Sequence, residues 1–300
     1  MKCLVVGLGN IGVKRRTLLG TRCIGTVDPF NASADYRDIQ DCPADRYEAA
    51  ILAVPNQVKV ELLHKLLTLG KHVLVEKPLL LPDRATAEKL DQLARRHHAV
   101  WYTSYNHRFE PLIELLKQEL DKGTVGRIYY GRLFYGNGTV GNIVGSWRED
   151  GLGVLEDLGP HLLDLVGWLF DCVGADVITW NLARHEAKTF DHTILAAADR
   201  RFVLEMSYLS WKNRFEIDLY GERGSLHLRG LCKWGPSELV VHQRVLPSGV
   251  PVERREMRTG EDVTWRRDLE YFERAATVGE TSMENDWWIS SAIQGAASSA

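Results

Sequence analysis

The chain opens with Cys3-Leu4-Val5-Val6-Gly7-Leu8-Gly9-Asn10-Ile11-Gly12, an apolar run that leads directly into a glycine-rich loop. The apolar run predicts a β-strand, and the residues from about Ile11 onward predict a helix. Glycines in this context let the backbone turn tightly and approach a pyrophosphate, whose charge is favoured at the amide-rich helix N-terminus. A glycine turn without a ligand is the alternative. The position of the motif between a strand and a helix favours dinucleotide binding.

The residues that follow extend this pattern into a complete domain. Short apolar runs alternate with helical stretches, which predicts βαβ units and a parallel sheet. The predicted strands are 3–6, 23–27, 50–54, 72–75 and 99–104, and the predicted helices include 58–69 and one from 82 to about 97. We therefore expect a doubly wound, Rossmann-type α/β domain over residues 1–105.

Beyond residue 105 the pattern changes to longer strand-like runs. These runs are 128–135, 176–182, 193–198, 202–209, 215–220 and 225–228, and a helix is predicted over 158–170. The short connections 199–201 and 221–224 favour antiparallel hairpins. We expect an α+β domain over 106–300 with a largely antiparallel, open-faced sheet.

Composition excludes several classes of protein. Of the 300 residues, 45% are hydrophobic and 26% are charged, which is typical of folded globular proteins. The net charge of −3 provides no positive field for a polyanion, so we expect no nucleic-acid partner. No apolar run reaches membrane-spanning length, and we expect no membrane partner. The cysteines at 3, 23, 42, 172 and 232 lack metal-ligand spacing. We therefore expect reduced, buried thiols, no metal and a cytoplasmic location.

Asp28 indicates which dinucleotide is bound. It follows the second predicted strand, 28 − 9 = 19 residues after Gly9, where an acidic side chain accepts hydrogen bonds from the adenosine ribose. Its carboxylate would repel a 2′-phosphate, which favours NAD. A solvated loop aspartate is the alternative, and the basic run Lys14-Arg15-Arg16 leaves NADP open.

Four further segments resemble one family. Gly70-Lys71-His72-Val73-Leu74-Val75-Glu76-Lys77-Pro78 resembles a signature of the glucose-fructose oxidoreductase, inositol dehydrogenase and MocA (Gfo/Idh/MocA) family. Segment 53–56 resembles its A-T-P-N turn, 105–109 its N-x-R-F segment, and 151–164 its G-G-G-x-L-x-D-x-G-x-H-x-x-D segment. The chain departs from these patterns at Val54, Leu152 and Gln57-Val58.

The resemblance implies an NAD(P)-dependent oxidoreductase that transfers hydride between nicotinamide and a hydroxyl or carbonyl of a sugar, polyol or sugar derivative. Together with the glycine motif and Asp28, it gives a set of expected cofactor-binding residues. These are Gly7, Gly9, Asn10, Ile11, Gly12, Asp28, Val54, Pro55, Asn56, Glu76 and Lys77.

The same resemblance, with the chemistry of alcohol oxidation, points to Lys77, Asp157 and His161 as catalytic residues. Asp157 and His161 are four residues apart, which would place them on one face of a single predicted helix. His161 would accept the hydroxyl proton, Asp157 would orient its ring, and Lys77 would stabilise alkoxide charge. An Asp-His pair that only caps a helix is the alternative. Expected substrate-binding residues are Lys77, Asn106, Arg148, Asp157, His161 and Asp164.

Two other functions remain open. An NAD-dependent glycoside hydrolase would carry the same cofactor motifs but would consume no net NAD. A non-catalytic dinucleotide-binding sensor or regulator would not need Lys77, Asp157 and His161. The resemblance also implies a homodimer or homotetramer. The sequence leaves open which sugar or polyol is the substrate.

Overall fold

The first apolar run forms an inner strand of a five-stranded parallel sheet in the computed structural model, which describes residues 1–145, 149, 151–199 and 201–299. The strands are β1 (Cys3–Val6), β2 (Cys23–Val27), β3 (Ala49–Leu52), β4 (His72–Glu76) and β5 (Trp101–Ser104). Their order is β2-β1-β3-β4-β5, and all neighbouring pairs are parallel. The chain therefore changes direction across the sheet between β1 and β3, which is where open α/β sheets bind ligands.

Alternate residues of β1 enter two separate hydrophobic cores. Leu4 and Val6 belong to one core, and Cys3 and Val5 belong to the other. The helices of this part are α1 (Asn10–Leu19), α2 (Asn56–Thr68) and α3 (Arg84–Arg96). Because both faces of the sheet are covered, its strands are largely buried and mostly apolar, as expected for a parallel sheet, with polar residues such as Glu76 and Ser104 at strand ends. The predicted doubly wound fold is confirmed.

The second sheet has eight strands and is mostly antiparallel. Its strands are β6 (Ile128–Gly136), β7 (Val177–Ala183), β8 (His192–Ala197), β9 (Phe202–Ser207), β10 (Arg214–Gly221), β11 (Gly224–Arg229), β12 (Ser237–Val245) and β13 (Gly249–Arg258). Their order is β13-β12-β11-β10-β6-β9-β8-β7, in which only β6 and β9 pair in parallel among these named strands. The helices α4 (Pro111–Asp121), α5 (Val154–Asp157) and α6 (Gly159–Phe170) accompany this sheet. The predicted α+β architecture is confirmed.

The chain ends in two helices, α7 (Thr264–Val278) and α8 (Met283–Ala297). Residues Met1–Tyr105 form one compact unit with Arg266–Ser290, and Asn106–Trp265 form another with Ser291–Ala300. The sequence pattern predicts that 266–290 belong to the second domain. The structure places this segment in the first unit because Leu269 and Phe272 of α7 are buried in the core that contains Cys3 and Val5.

All five cysteines are free, but Cys23 and Cys172 are only half-buried, contrary to the expectation of five buried thiols. None of the described helices is long and apolar enough to cross a membrane. Within the described ranges, no group of three or more His, Cys, Asp or Glu side chains is placed to hold a metal ion.

Candidate active site

The loop between β1 and α1, together with the first turn of α1, contains three glycines that are present for different reasons. Gly7 has a φ of +92°, and a Cβ there would lie 2.3 Å from the Ala53 carbonyl oxygen. A Cβ at Gly12 would lie 1.8 Å from the Gly7 carbonyl oxygen. Gly9 has an ordinary φ of −71°, and a Cβ there would meet no described atom within 4 Å. The fold requires Gly7 and Gly12, whereas Gly9 leaves open space where a pyrophosphate would fit.

Asp28 connects this loop to the end of β2. Its Oδ2 accepts the Leu8 N–H at 2.8 Å, and its Oδ1 accepts the N–H groups of Phe30 at 2.9 Å and Asn31 at 2.8 Å. Partial desolvation raises the pKa of Asp28, but these three backbone donors outweigh it and hold the pKa below its ordinary value. A carboxylate offers about four acceptor positions, so one remains for a ribose hydroxyl. Arg37, which no motif marks, donates to the Asn31 carbonyl at 3.0 Å.

Arg15 is unsuited to bind a 2′-phosphate, although the sequence left it as a candidate. Its side chain is fully buried and donates to Glu76 Oε1 at 2.6 Å, Ser104 Oγ at 2.6 Å and Asp268 Oδ2 at 2.7 Å. This network connects α1, β4, β5 and α7 inside the first unit. It also engages the Glu76 carboxylate, so a direct contact between Glu76 and a cofactor stays a prediction.

The segments after β3 and β4 lie at the same edge of the first sheet as the glycine loop, because β1, β3 and β4 are adjacent and parallel. The expected cofactor residues at 7–12, 53–56 and 76–77 are therefore brought to one edge. Asn56 begins α2, and Lys77 is half-buried directly after β4 with a cis bond to Pro78. Lys59, which no motif singled out, is buried in α2 and hydrogen-bonds to these segments.

Asp157 and His161 do not share one helix, contrary to the expectation from their spacing. Asp157 is the last residue of α5, and His161 lies in the first turn of α6. The interruption at Leu158 has a reason in the sequence, since Pro160 has no N–H and fits only the first turn of a new helix. The buried Asp157 carboxylate accepts a hydrogen bond from the Tyr208 hydroxyl at 3.1 Å.

Two basic residues that the sequence did not predict lie near the site: His107 against the His161 ring, and Lys233 against His107. The His107 and His161 rings stack with centroids 4.0 Å apart and an angle of 20° between their planes. The Lys233 Nζ lies 3.4 Å from His107 Nε2 and 4.8 Å from the centre of the Trp234 ring. Lys233 is exposed as a whole residue, yet desolvation around its ammonium lowers the pKa of Lys233 against the attraction of nearby carboxylates, of which Asp262 acts most strongly. His107 could have been noticed as the variable position of the N-x-R-F segment, but no motif marked Lys233.

The remaining substrate candidates have partners within the second unit. Asn106 Nδ2 donates to Thr264 Oγ1 at 2.9 Å. The buried Asp164 carboxylate accepts two hydrogen bonds from Arg108, at 2.8 Å from Nε and 2.5 Å from Nη2. This paired geometry favours a structural role for Asp164. Arg148 lies outside the described residues.

Comparison with models of known protein families shows to which family the chain belongs. Residues 1–105 match the model described as "Oxidoreductase family, NAD-binding Rossmann fold" of the Gfo/Idh/MocA group, and residues 113–227 match the family's C-terminal domain. This chain belongs to the Gfo/Idh/MocA family. The first part of this Gfo/Idh/MocA protein is thus an NAD-binding Rossmann domain, with its glycine loop and Asp28 at the expected edge of the sheet.

Individual relatives of this Gfo/Idh/MocA protein share about 30% identity or less with it, over only part of its length. It is 30% identical over 186 residues to the uncharacterised oxidoreductase YdgJ of Escherichia coli, covering 60% of this chain and 53% of that protein. It is 28% identical over 159 residues to levoglucosan dehydrogenase of Pseudarthrobacter phenanthrenivorans, covering 50% of this chain and 40% of that protein. The chain therefore spans about half the length of these relatives, or less.

A solved structure extends the similarity of fold over the whole chain. An Agrobacterium radiobacter oxidoreductase, determined in complex with NAD+, L-tartaric acid and magnesium, gives a TM-score of 0.79 at 17% identity. The match covers 100% of this chain and 96% of that one.

Proposed function

We propose that the protein is an NAD-dependent dehydrogenase that acts on a CH–OH group of a sugar, a polyol or a sugar derivative. The observation that carries this proposal is the open space at Gly9, beside the ionised Asp28 carboxylate at the N-terminus of α1. Family membership adds the redox class, and the name of levoglucosan dehydrogenase supports a sugar-like substrate. Bound NAD+ would supply the hydride acceptor.

We further propose that NAD is preferred over NADP. The Asp28 carboxylate would accept a ribose hydroxyl and repel a phosphate in the same place. Arg15 is fully engaged in a buried network, and Arg37 directs one donor to the Asn31 carbonyl. Because these arginines already make hydrogen bonds within the protein, they favour binding of a 2′-phosphate less than the basic run 14–16 of the sequence indicates.

The chemistry assigned to the chain's residues is a proton transfer coupled to loss of hydride from carbon. His161 takes the hydroxyl proton while the hydrogen on the same carbon leaves with both bonding electrons as hydride, for which bound NAD+ would be the acceptor, so the alcohol becomes a carbonyl. Lys77 stabilises negative charge on the substrate oxygen. Asp157 stabilises the protonated His161, and Tyr208 in turn holds the Asp157 carboxylate.

The test is a screen of sugars, inositols and nucleotide-linked sugars for NADH formation. Stoichiometric NADH supports a dehydrogenase. Cleavage of a glycosidic bond without net NADH would support an NAD-dependent glycoside hydrolase. Binding of NAD without turnover of any compound would favour a sensor or regulator.

We also propose a cytoplasmic homo-oligomer. Five free cysteines suit a reducing compartment. The face of the second sheet that carries Tyr130 and Tyr220 presents apolar surface, since these stacked rings are 50% and 37% exposed and Ile178 is 40% exposed. Such a surface suits self-association. Light scattering at micromolar concentration tests this proposal, and a monomer would contradict it.

A further inference from the structure

The first turn of α2 contains a lysine in an electrostatically unfavourable place. Lys59 is only 2% exposed, although a lysine of a helix usually extends its ammonium into water. The positive end of the helix dipole disfavours a cation in the first turn. Burial adds a further penalty unless hydrogen bonds replace water. Specific hydrogen bonds must therefore offset the free-energy cost of burying the Lys59 ammonium at the helix N-terminus.

The Lys59 ammonium makes three hydrogen bonds at the edge where the cofactor residues lie. Nζ donates to Asn56 Oδ1 at 2.8 Å, to the Glu76 carbonyl at 2.6 Å and to the Pro78 carbonyl at 2.7 Å. These contacts use all three donors of an ammonium group. The two carbonyls belong to the residues immediately before and after Lys77. One buried cation thus connects the segment after β3 with both sides of Lys77.

We propose that Lys59 is a positioning residue for Lys77 and Asn56. It holds the carbonyl groups of the two residues that flank Lys77 and so fixes the point from which the Lys77 side chain extends. By engaging Asn56 Oδ1, it also sets the orientation of that amide. This inference rests on the proposed function, in which Lys77 acts on the substrate oxygen. A displacement of about 1 Å in such a group can reduce turnover roughly 100-fold.

The kinetic test compares Lys59→Met with the matched control Lys71→Met. Lys71 is half-buried, lies at the opposite end of β4 and donates to the Tyr47 carbonyl at 2.8 Å. With a substrate from the screen, folded Lys59→Met should lose roughly 10- to 100-fold in kcat while KM changes by less than about twofold. Lys71→Met should keep both constants. A loss of thermal stability with unchanged kcat would show a purely structural role and overturn the proposal.

A second readout needs no substrate. The labelling rate of Lys77 by trinitrobenzenesulfonate, followed by peptide mass spectrometry, reports the surroundings of its amine. It should change several-fold in Lys59→Met and stay at the wild-type value in Lys71→Met. A folded Lys59→Met protein with wild-type labelling would overturn the proposal. A changed rate in a protein that turns over no substrate would support the positioning role and contradict the proposed dehydrogenase.

If Lys59→Met does not fold, Lys59→Arg replaces it. The planar guanidinium keeps the charge but cannot direct three donors to the same acceptors. The labelling rate of Lys77 should again change several-fold, and kcat should fall. Wild-type values of both in folded Lys59→Arg would contradict the proposal.

Discussion

At the scale of single residues, the three glycines of the motif serve two purposes: Gly7 and Gly12 are required by the fold, and Gly9 is proposed to leave room for the cofactor. Gly12 allows α1 to pack against the Gly7 carbonyl, which a Cβ would approach to 1.8 Å. Gly9 has no such neighbour among the described atoms and has a φ that any residue can adopt. The sequence motif predicted the loop but did not distinguish these roles, because all three positions are simply glycine.

We expect Gly9→Val to weaken NAD binding strongly and to leave the stability of the free protein nearly unchanged. The Cβ would meet no described atom within 4 Å, and the branched side chain would occupy the space for the pyrophosphate. NADH fluorescence titration and thermal unfolding without ligand measure the two effects. Gly12→Ala is the control and should destabilise the fold itself. Normal NAD affinity in Gly9→Val would refute the assignment of this loop to the phosphates.

Asp28 should give an NAD preference of at least about tenfold in dissociation constant, which corresponds to roughly 1.4 kcal/mol. Asp28→Ala should erode this preference, and Asp28→Asn should do so with less disturbance because its amide oxygen can still accept a backbone N–H. Titration with NADH and NADPH checks both variants. Equal or tighter binding of NADPH to the wild type would show that a base such as Arg16 or Arg37 holds the 2′-phosphate.

At the scale of elements, the buried parallel strands were the easiest to predict. The apolar runs gave β1 and β2 with their observed bounds, whereas β12 and β13 were not predicted. Strand β13 is almost entirely exposed and rich in charged residues, so it lacks the apolar signal on which the prediction depended. The separation of α5 from α6 was also missed, because the spacing of Asp157 and His161 was given more weight than Pro160.

The position of α7 predicts that residues 1–105 alone do not form a stable domain. Without Leu269 and Phe272, one face of the first sheet would lose part of its hydrophobic core. In the full chain, Phe272→Ala should lower the free energy of unfolding by about 3–5 kcal/mol, the range for a buried phenylalanine. Urea denaturation measures both effects. A cooperative urea transition of fragment 1–105 at the denaturant midpoint of the full chain would contradict this role of α7.

At the scale of the whole molecule, the sequence identified the family and the expected site, but not the neighbours that tertiary structure brings in. Gly9, Lys77 and His161 could be predicted as site residues because each lies in a short recognisable sequence motif. His107 and Lys233 are 126 positions apart, and only the fold brings Lys233 against His107 and His107 against His161. Substrate identity was not predictable for the same reason, since pocket residues come from separate strands and loops.

The proposed roles of Lys77 and His161 predict that binding and chemistry respond differently to substitution. His161→Asn should reduce kcat by roughly two to four orders of magnitude and leave NAD affinity nearly intact. Lys77→Ala should reduce kcat by a similar factor. Lys77→Arg should recover little of the lost turnover, because the planar guanidinium cannot place a donor where the lysine ammonium does. In the double variant, the combined loss should be much smaller than the product of the two single losses. Independent, multiplicative losses would show that the residues do not act in one step.

The most direct test of a hydride-transferring enzyme is to follow NADH formation with a substrate from the screen, using equal amounts of wild type and His161→Asn at saturating NAD+. We expect one NADH for each carbonyl product formed by the wild type, and a rate at least about 100-fold lower for His161→Asn with unchanged NAD affinity. Product without net NADH, or wild-type turnover in His161→Asn, would contradict the account.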